Sequence, residues 1–167
     1  MKFTLVPEYK FDRFDQATAE FLSSIGVRAV LLDIDNTMAL HDDPEPAQGV
    51  REWIEIMRQE GFGLIIVSNN SSARVQNFAE SLGLGFVGKA QKPLTKGFRR
   101  ACRELGVRPK KALVVGDQIF TDILGGNLCG AYTVMVEPLG EHETDFIRFK
   151  RRLERPLLRI MDAREKK

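Results

Sequence analysis

Asp33 and Asp35, spaced i, i+2 and followed by Thr37, stand at the end of the apolar run Ala29-Val30-Leu31-Leu32. An apolar run of this length, closed by Asp and Asn, reads as a buried strand and its exit loop. If Asp33 ends the strand, both carboxylates leave the sheet at its C-terminal edge, where open α/β sheets bind ligands. Two like charges so close together are costly to bury unless a proton or a cation neutralises them. A divalent metal is the natural partner. On its own, D-x-D-x-T also fits two solvated loop aspartates that cap a helix.

Repetition of the same design weakens that plainer reading. The run Leu64-Ile65-Ile66-Val67 delivers Ser68-Asn69-Asn70, and Ala112-Leu113-Val114-Val115 delivers Gly116-Asp117, with Asp122 following. Lys92-Pro93 stands between them, after a short apolar segment and before a helical pattern. Three carboxylate-bearing loops, a hydroxyl and one ammonium therefore converge on one edge of one sheet.

The elements that must position these groups alternate between short β-rich runs and helical patterns, as in a parallel α/β sheet. A helix near 13–24 carries Phe14, Ala17, Phe21 and Leu22 on one face and leads to a strand at about 28–33. Val50, Trp53, Ile54 and Met57 make an i, i+3, i+4, i+7 stripe in a helix over about 46–60, which Gly61 and Gly63 end. Trp53 is therefore read as core, not as a stacking platform. After the Leu64–Val67 strand come a helix over about 71–82, a short strand at Gly85-Phe86-Val87 and a helix over about 94–105. The Ala112–Val115 strand, a short helix and a strand at Tyr132-Thr133-Val134-Met135-Val136 complete the pattern. The expectation is a mainly parallel five-stranded sheet with helices on both faces.

A chain of 167 residues with 43% hydrophobic and 29% charged side chains fits one soluble domain spanning 1–167. No apolar stretch reaches the roughly 18 residues that cross a membrane, and the first ten residues lack a signal peptide's apolar core, so a cytoplasmic location is expected. Cys102 and Cys129 form no C-x-x-C pair and read as reduced, small apolar side chains. The net charge of +2 is too small to imply a nucleic-acid partner. It conceals a segment, 146–167, with nine basic residues against Glu154, Asp162 and Glu165.

Asp33-Ile34-Asp35-Asn36-Thr37, Ser68, Lys92-Pro93 and Gly116-Asp117-Gln118-Ile119-Phe120-Thr121-Asp122 resemble, in order, the four motifs of the haloacid dehalogenase (HAD) superfamily. The run from Val115 through Asn127 is most similar to the compact subfamily IIIA and, within it, the YqeG family. The resemblance spans about residue 5 to about residue 160 and no motif is missing. It implies a Rossmann-like fold and a phosphatase working through an aspartyl phosphate. Asp33 would be the nucleophile, and Asp35, about 6–7 Å along an extended chain, the general acid and base. Mg²⁺ is the implied metal, held by oxygens of Asp33, the Asp35 main chain, Asp117 and Asp122. Ser68, Asn69 and Lys92 would bind the phosphoryl oxygens, and Thr37 would stabilise the loop.

Many HAD enzymes carry a cap domain that closes over small substrates. The intervals from Asp35 to Ser68 and from Ser68 to Lys92 hold no room for one, so an open, capless site is expected. That suits a phosphorylated substrate that is large or lipid, or a lid from another subunit. His41 and Asp42-Asp43-Glu45 lie where the family places a small flap; they read as a solvated loop, with substrate contact as the alternative. Phe146, Phe149, Leu153, Leu157 and Ile160 make an apolar stripe in a basic amphipathic C-terminal helix, 143–167. The stripe either packs on the sheet or makes peripheral contact with an anionic membrane. The resemblance extends to the mitochondrial phosphatidylglycerophosphate phosphatase, which gives a lipid phosphate as the alternative substrate. A signalling receiver domain fits poorly, because no Asp ends the strand at Val87-Gly88-Lys89. A non-catalytic binding protein of the same fold is the remaining class.

Overall fold

The computed structural model describes residues 4–41, 43–70 and 73–140. Six strands form one sheet: β1 (Tyr9–Phe11), β2 (Ala29–Leu32), β3 (Gly63–Val67), β4 (Gly85–Val87), β5 (Ala112–Gly116) and β6 (Tyr132–Val136). Their order is β1-β6-β5-β2-β3-β4 and every pairing is parallel. The expected five-stranded sheet is thus corrected to six. The added strand, β1, is three residues long and contains a lysine, so its pattern is too short to register. Pairing with β6 and the edge-to-face packing of Tyr9 and Phe11 on Phe21, with ring centres 4.9 and 5.1 Å apart, define it.

The helices are α1 (Ala19–Ser24), α2 (Val50–Gln59), α3 (Ala73–Ser81), α4 (Thr95–Glu104) and α5 (Leu124–Cys129). The helix expected over 13–24 is two pieces, a 3₁₀ turn at Phe14–Gln16 and α1. Thr18 divides them. Its hydroxyl accepts from Phe21 N–H, so the side chain caps a new helix and does not continue an old one. Phe14, Ala17 and Leu22 are buried as the stripe requires.

Strand alternation sends Val30, Leu32 and Ile66 to one face, where they meet Leu22 of α1, Trp53 and Met57 of α2 and Phe78 of α3. Leu31, Ile65 and Val114 go to the other face, against Phe98 and Cys102 of α4 and Cys129 of α5. Trp53 is core, as expected, and its ring N–H reaches Ala17 O at 3.1 Å. Both cysteines are free and buried, and burial pushes the Cys102 thiol up to about 12. They act as small apolar side chains. The C-terminal helix expected over 143–167 lies outside the described residues.

The chain runs β2, β3, β4 outward in one direction, then crosses back to place β5 on the other flank of β2. Strand order therefore reverses between β2 and β5, and a crevice opens above their C-terminal ends. Asp33 and Asp117 follow those two ends.

Candidate active site

Asp33 extends β2 by one residue. Its N–H donates to Val115 O at 3.0 Å, continuing the ladder to β5. The backbone then turns sharply. Thr37, Met38 and Ala39 N–H groups all point at Ile34 O within 3.1 Å, and Asn36 N–H bonds Ala39 O at 2.7 Å. Asn36 sits at φ 59°, a left-handed conformation that Asn tolerates better than most residues. The turn lifts Asp35 to the mouth of the crevice while Asp33 stays buried. Thr37 closes this turn through its N–H; its buried Oγ1 has no hydrogen-bond partner among the described residues.

Asp33, Asp117 and Asp122 are all buried, and one carboxylate oxygen from each lies within 4.8 Å of the others. Asp122 arrives on one turn of π-helix, Ile119–Ile123, directly after β5. Its approach depends on Gly116, because a Cβ there would lie 2.5 Å from Asp122 Cγ. Thr121 Oγ1 donates to Asp122 Oδ2 at 3.1 Å and fixes the carboxylate's orientation.

Lys92 enters from the β4–α4 connection. Its Nζ donates to Asp33 Oδ1 and Asp122 Oδ1, each at 2.6 Å. The loop is held by Asn69, whose Nδ2 donates to Lys92 O (3.2 Å) and whose Oδ1 accepts from Lys92 N–H (2.6 Å). Both ends of that side chain therefore serve the Lys92 main chain. Ser68 is buried, and its Oγ accepts from Asn70 N–H at 3.1 Å.

The electrostatics follow from this packing. Burial pushes the Asp33 carboxyl up to about 7, against the pull of Lys92 and with a further rise from Asp122 and Asp35. Burial alone would lower Lys92, but Asp122 and Asp33 outweigh it and hold the ammonium above its ordinary value. Three ionised carboxylates and one ammonium sum to two negative charges in a buried cluster. That imbalance and an all-oxygen donor set fit a hard divalent cation.

A cleft of about 180 Å³ opens above the cluster, lined by Asp33, Asp35, Ser68, Asn69 and Lys92 among the expected residues. Asn36, His41, Gln118 and Thr121 complete its wall. The structure thus brings together the expected site residues; Thr37 supports the turn from below. His41, expected on a solvated loop, is half-buried against the cleft with Nδ1 3.8 Å from Asp35 Oδ1. Arg74 of α3 was not singled out by the motifs, yet its Nη2 donates to Asp35 Oδ1. Its position at the start of the helix after Ser68-Asn69-Asn70 was the available signal.

The sequence pattern of the haloacid dehalogenase-like hydrolases matches residues 4–130. The chain is 39% identical to the probable phosphatase YqeG of Bacillus subtilis, over 99% of this chain and 94% of that protein. It is 30% identical to the mitochondrial phosphatidylglycerophosphatase GEP4 of Saccharomyces cerevisiae, over 66% of each chain. Among solved structures, a HAD family hydrolase from Deinococcus radiodurans, crystallised with phosphate and sodium, superposes with a TM-score of 0.59. That match has 16% identity and covers 71% of this chain and 84% of that one, so it speaks for the fold alone.

Proposed function

Because the chain belongs to the haloacid dehalogenase-like hydrolases, we propose that it is a Mg²⁺-dependent phosphomonoesterase working through a phosphorylated Asp33. The carrying observation is the buried Asp33, Asp117 and Asp122 cluster beneath a cleft that also holds Asp35, Ser68 and Lys92. Asp33, Asp117, Asp122 and the Asp35 main chain would hold the metal, which screens the phosphoryl charge and keeps Asp33 ionised when bound. A carboxylate oxygen of Asp33 attacks phosphorus as the bond to the leaving alcohol breaks. Asp35 gives its proton to the departing oxygen. It then takes a proton from the water that attacks the phosphoryl group, so inorganic phosphate leaves and Asp33 is restored. Lys92 and Ser68, with the Asn69 main chain, hold the non-bridging oxygens and keep the group in line. Thr37 keeps the turn that separates the two carboxylates.

The substrate is a phosphate monoester, and the described residues between Asp35 and Lys92 hold no inserted domain, which favours one larger than the cleft. A lipid phosphate is the second reading. It draws on the relatives named as phosphatidylglycerophosphate phosphatases and on Leu40 and Leu94, both exposed and close in sequence to cleft residues His41 and Lys92. The test is phosphate release from p-nitrophenyl phosphate and a panel of soluble and lipid monoesters, with Mg²⁺ or EDTA. Metal-dependent release that Asp33→Asn abolishes is expected. No release by folded, Mg²⁺-loaded wild type would leave a non-catalytic binding role.

A further inference from the structure

Arg74 stands between two cavities. On one side its Nη2 donates to Asp35, which lines the 180 Å³ cleft. On the other, Arg74 lines a groove of about 450 Å³ between α3 and the flap, with Pro44, Glu45, Asn77, Phe78 and Ser81. Its Nη1 donates to the Asp43 carbonyl at 2.8 Å, so a single guanidinium joins flap, helix and cleft. The Arg74 side chain remains 17% exposed and can meet a ligand.

The geometry points to Arg74 as a specificity-determining residue that binds a second anionic group on the alcohol portion of the substrate. The inference rests on the phosphatase reading above. If Asp35 exchanges a proton with the leaving oxygen, that oxygen lies beside Asp35, and the atoms beyond it pass His41 and Arg74. The groove lies on the other side of Arg74, with the exposed Pro44 as an apolar contact for a short carbon chain and the exposed Asn77 amide beside it. Two cations then divide the work. Lys92, buried between Asp33 and Asp122, faces the transferred phosphoryl group, whereas Arg74 faces the anion that stays on the alcohol. A guanidinium carries five donors in a planar fork, enough to take a phosphate, phosphodiester or carboxylate while keeping the Asp43 carbonyl. As Arg74 turns to that anion, the Asp35 oxygen it engages is exposed to the leaving group. Glu45, the acidic residue of the groove, is paired with Arg51 Nη2 at 3.7 Å.

The same contacts could instead serve only to hold the flap on α3, and kinetics separate the two roles. Glycerol 1,3-bisphosphate and glycerol 3-phosphate differ only in the second anion, and phosphatidylglycerophosphate and phosphatidic acid in detergent micelles form the lipid pair. Wild type is expected to favour the member with the second anion by about tenfold or more in kcat/KM, falling to about twofold or less in Arg74→Gln, with Arg74→Lys between them. A preference in the soluble pair identifies the anion itself as the determinant; one confined to the lipid pair requires the lipid as well. Because a ratio cancels any loss of folded protein, a purely structural Arg74 would lower both rates and leave the preference intact. That result overturns the inference, as does a wild-type preference near unity in both pairs. Should wild type hydrolyse p-nitrophenyl phosphate yet show no preference, only this inference falls. Should it release phosphate from no compound, the phosphatase reading falls with it.

Discussion

The nucleophilic role proposed for Asp33 and its buried position pull its chemistry in opposite directions. Burial holds its proton up to about pH 7, whereas a nucleophile must be ionised. Since the folded value lies above the unfolded 3.8, the native protein keeps a proton that the unfolded chain has already lost between about pH 4 and 7. Asp33 therefore lowers stability as pH rises through that window. Lys92 does not obscure this, because its elevated folded value means that its contribution is intact below about 10.5 and lost only above. In EDTA, Asp33→Asn is expected to gain on wild type between pH 5 and pH 8 by up to about 2.6 kcal/mol. Urea unfolding at the two pH values measures it; parallel pH dependence in both proteins would refute the account.

The element that matters most for the proposed metal ligands is the junction of β5 with the π-helical turn. An extra backbone residue per turn at Ile119–Ile123 directs Asp122 back across the end of β5, and the absence of a side chain at Gly116 leaves room for it. Gly116→Ala is expected to cost about 1–3 kcal/mol and to raise the Mg²⁺ concentration for half-maximal activity about tenfold or more. Gly85→Ala on edge strand β4 is the control, since a Cβ there comes only to 3.7 Å from Ile65 and meets ordinary packing. Metal titration of activity beside thermal melts compares the two. Equal metal dependence in both variants would deny Gly116 its role.

Across the whole molecule, the reversal of strand order between β2 and β5 gathers residues 33, 68, 92, 117 and 122 above one sheet edge. The unfolded chain has no such site, so a cation that binds there stabilises only the native state. Raising Mg²⁺ to about 100 times its dissociation constant should stabilise the fold by about 2.7 kcal/mol. Differential scanning calorimetry would detect the shift, and Asp117→Asn should remove most of it. An unchanged melting temperature in wild type would argue against the carboxylate cluster as a Mg²⁺ site. Among the described residues no helix is long and apolar enough to cross a membrane.

From its residues alone the chain determined which groups meet above one sheet edge and the parallel sheet that carries them. A buried strand must end in a polar loop, so the sites announced themselves as Asp33, Ser68 and Asp117 at the ends of apolar runs. Strands β2 to β6 and the core stripe of α2 were legible for the same reason: periodicity records burial. Tertiary structure alone decided the rest. Strand β1 exists because β6 offers its edge, and the break at Thr18 because its hydroxyl caps α1. Arg74 acquires meaning only where α3 brings it to Asp35, 39 residues away in sequence, and the same contact region settles that His41, left open between a solvated loop and the site, stands against Asp35. For Arg74 the sequence offered only its place at the start of the helix after Ser68-Asn69-Asn70, with no motif to single it out. Its chemistry is set by what lies across the gap.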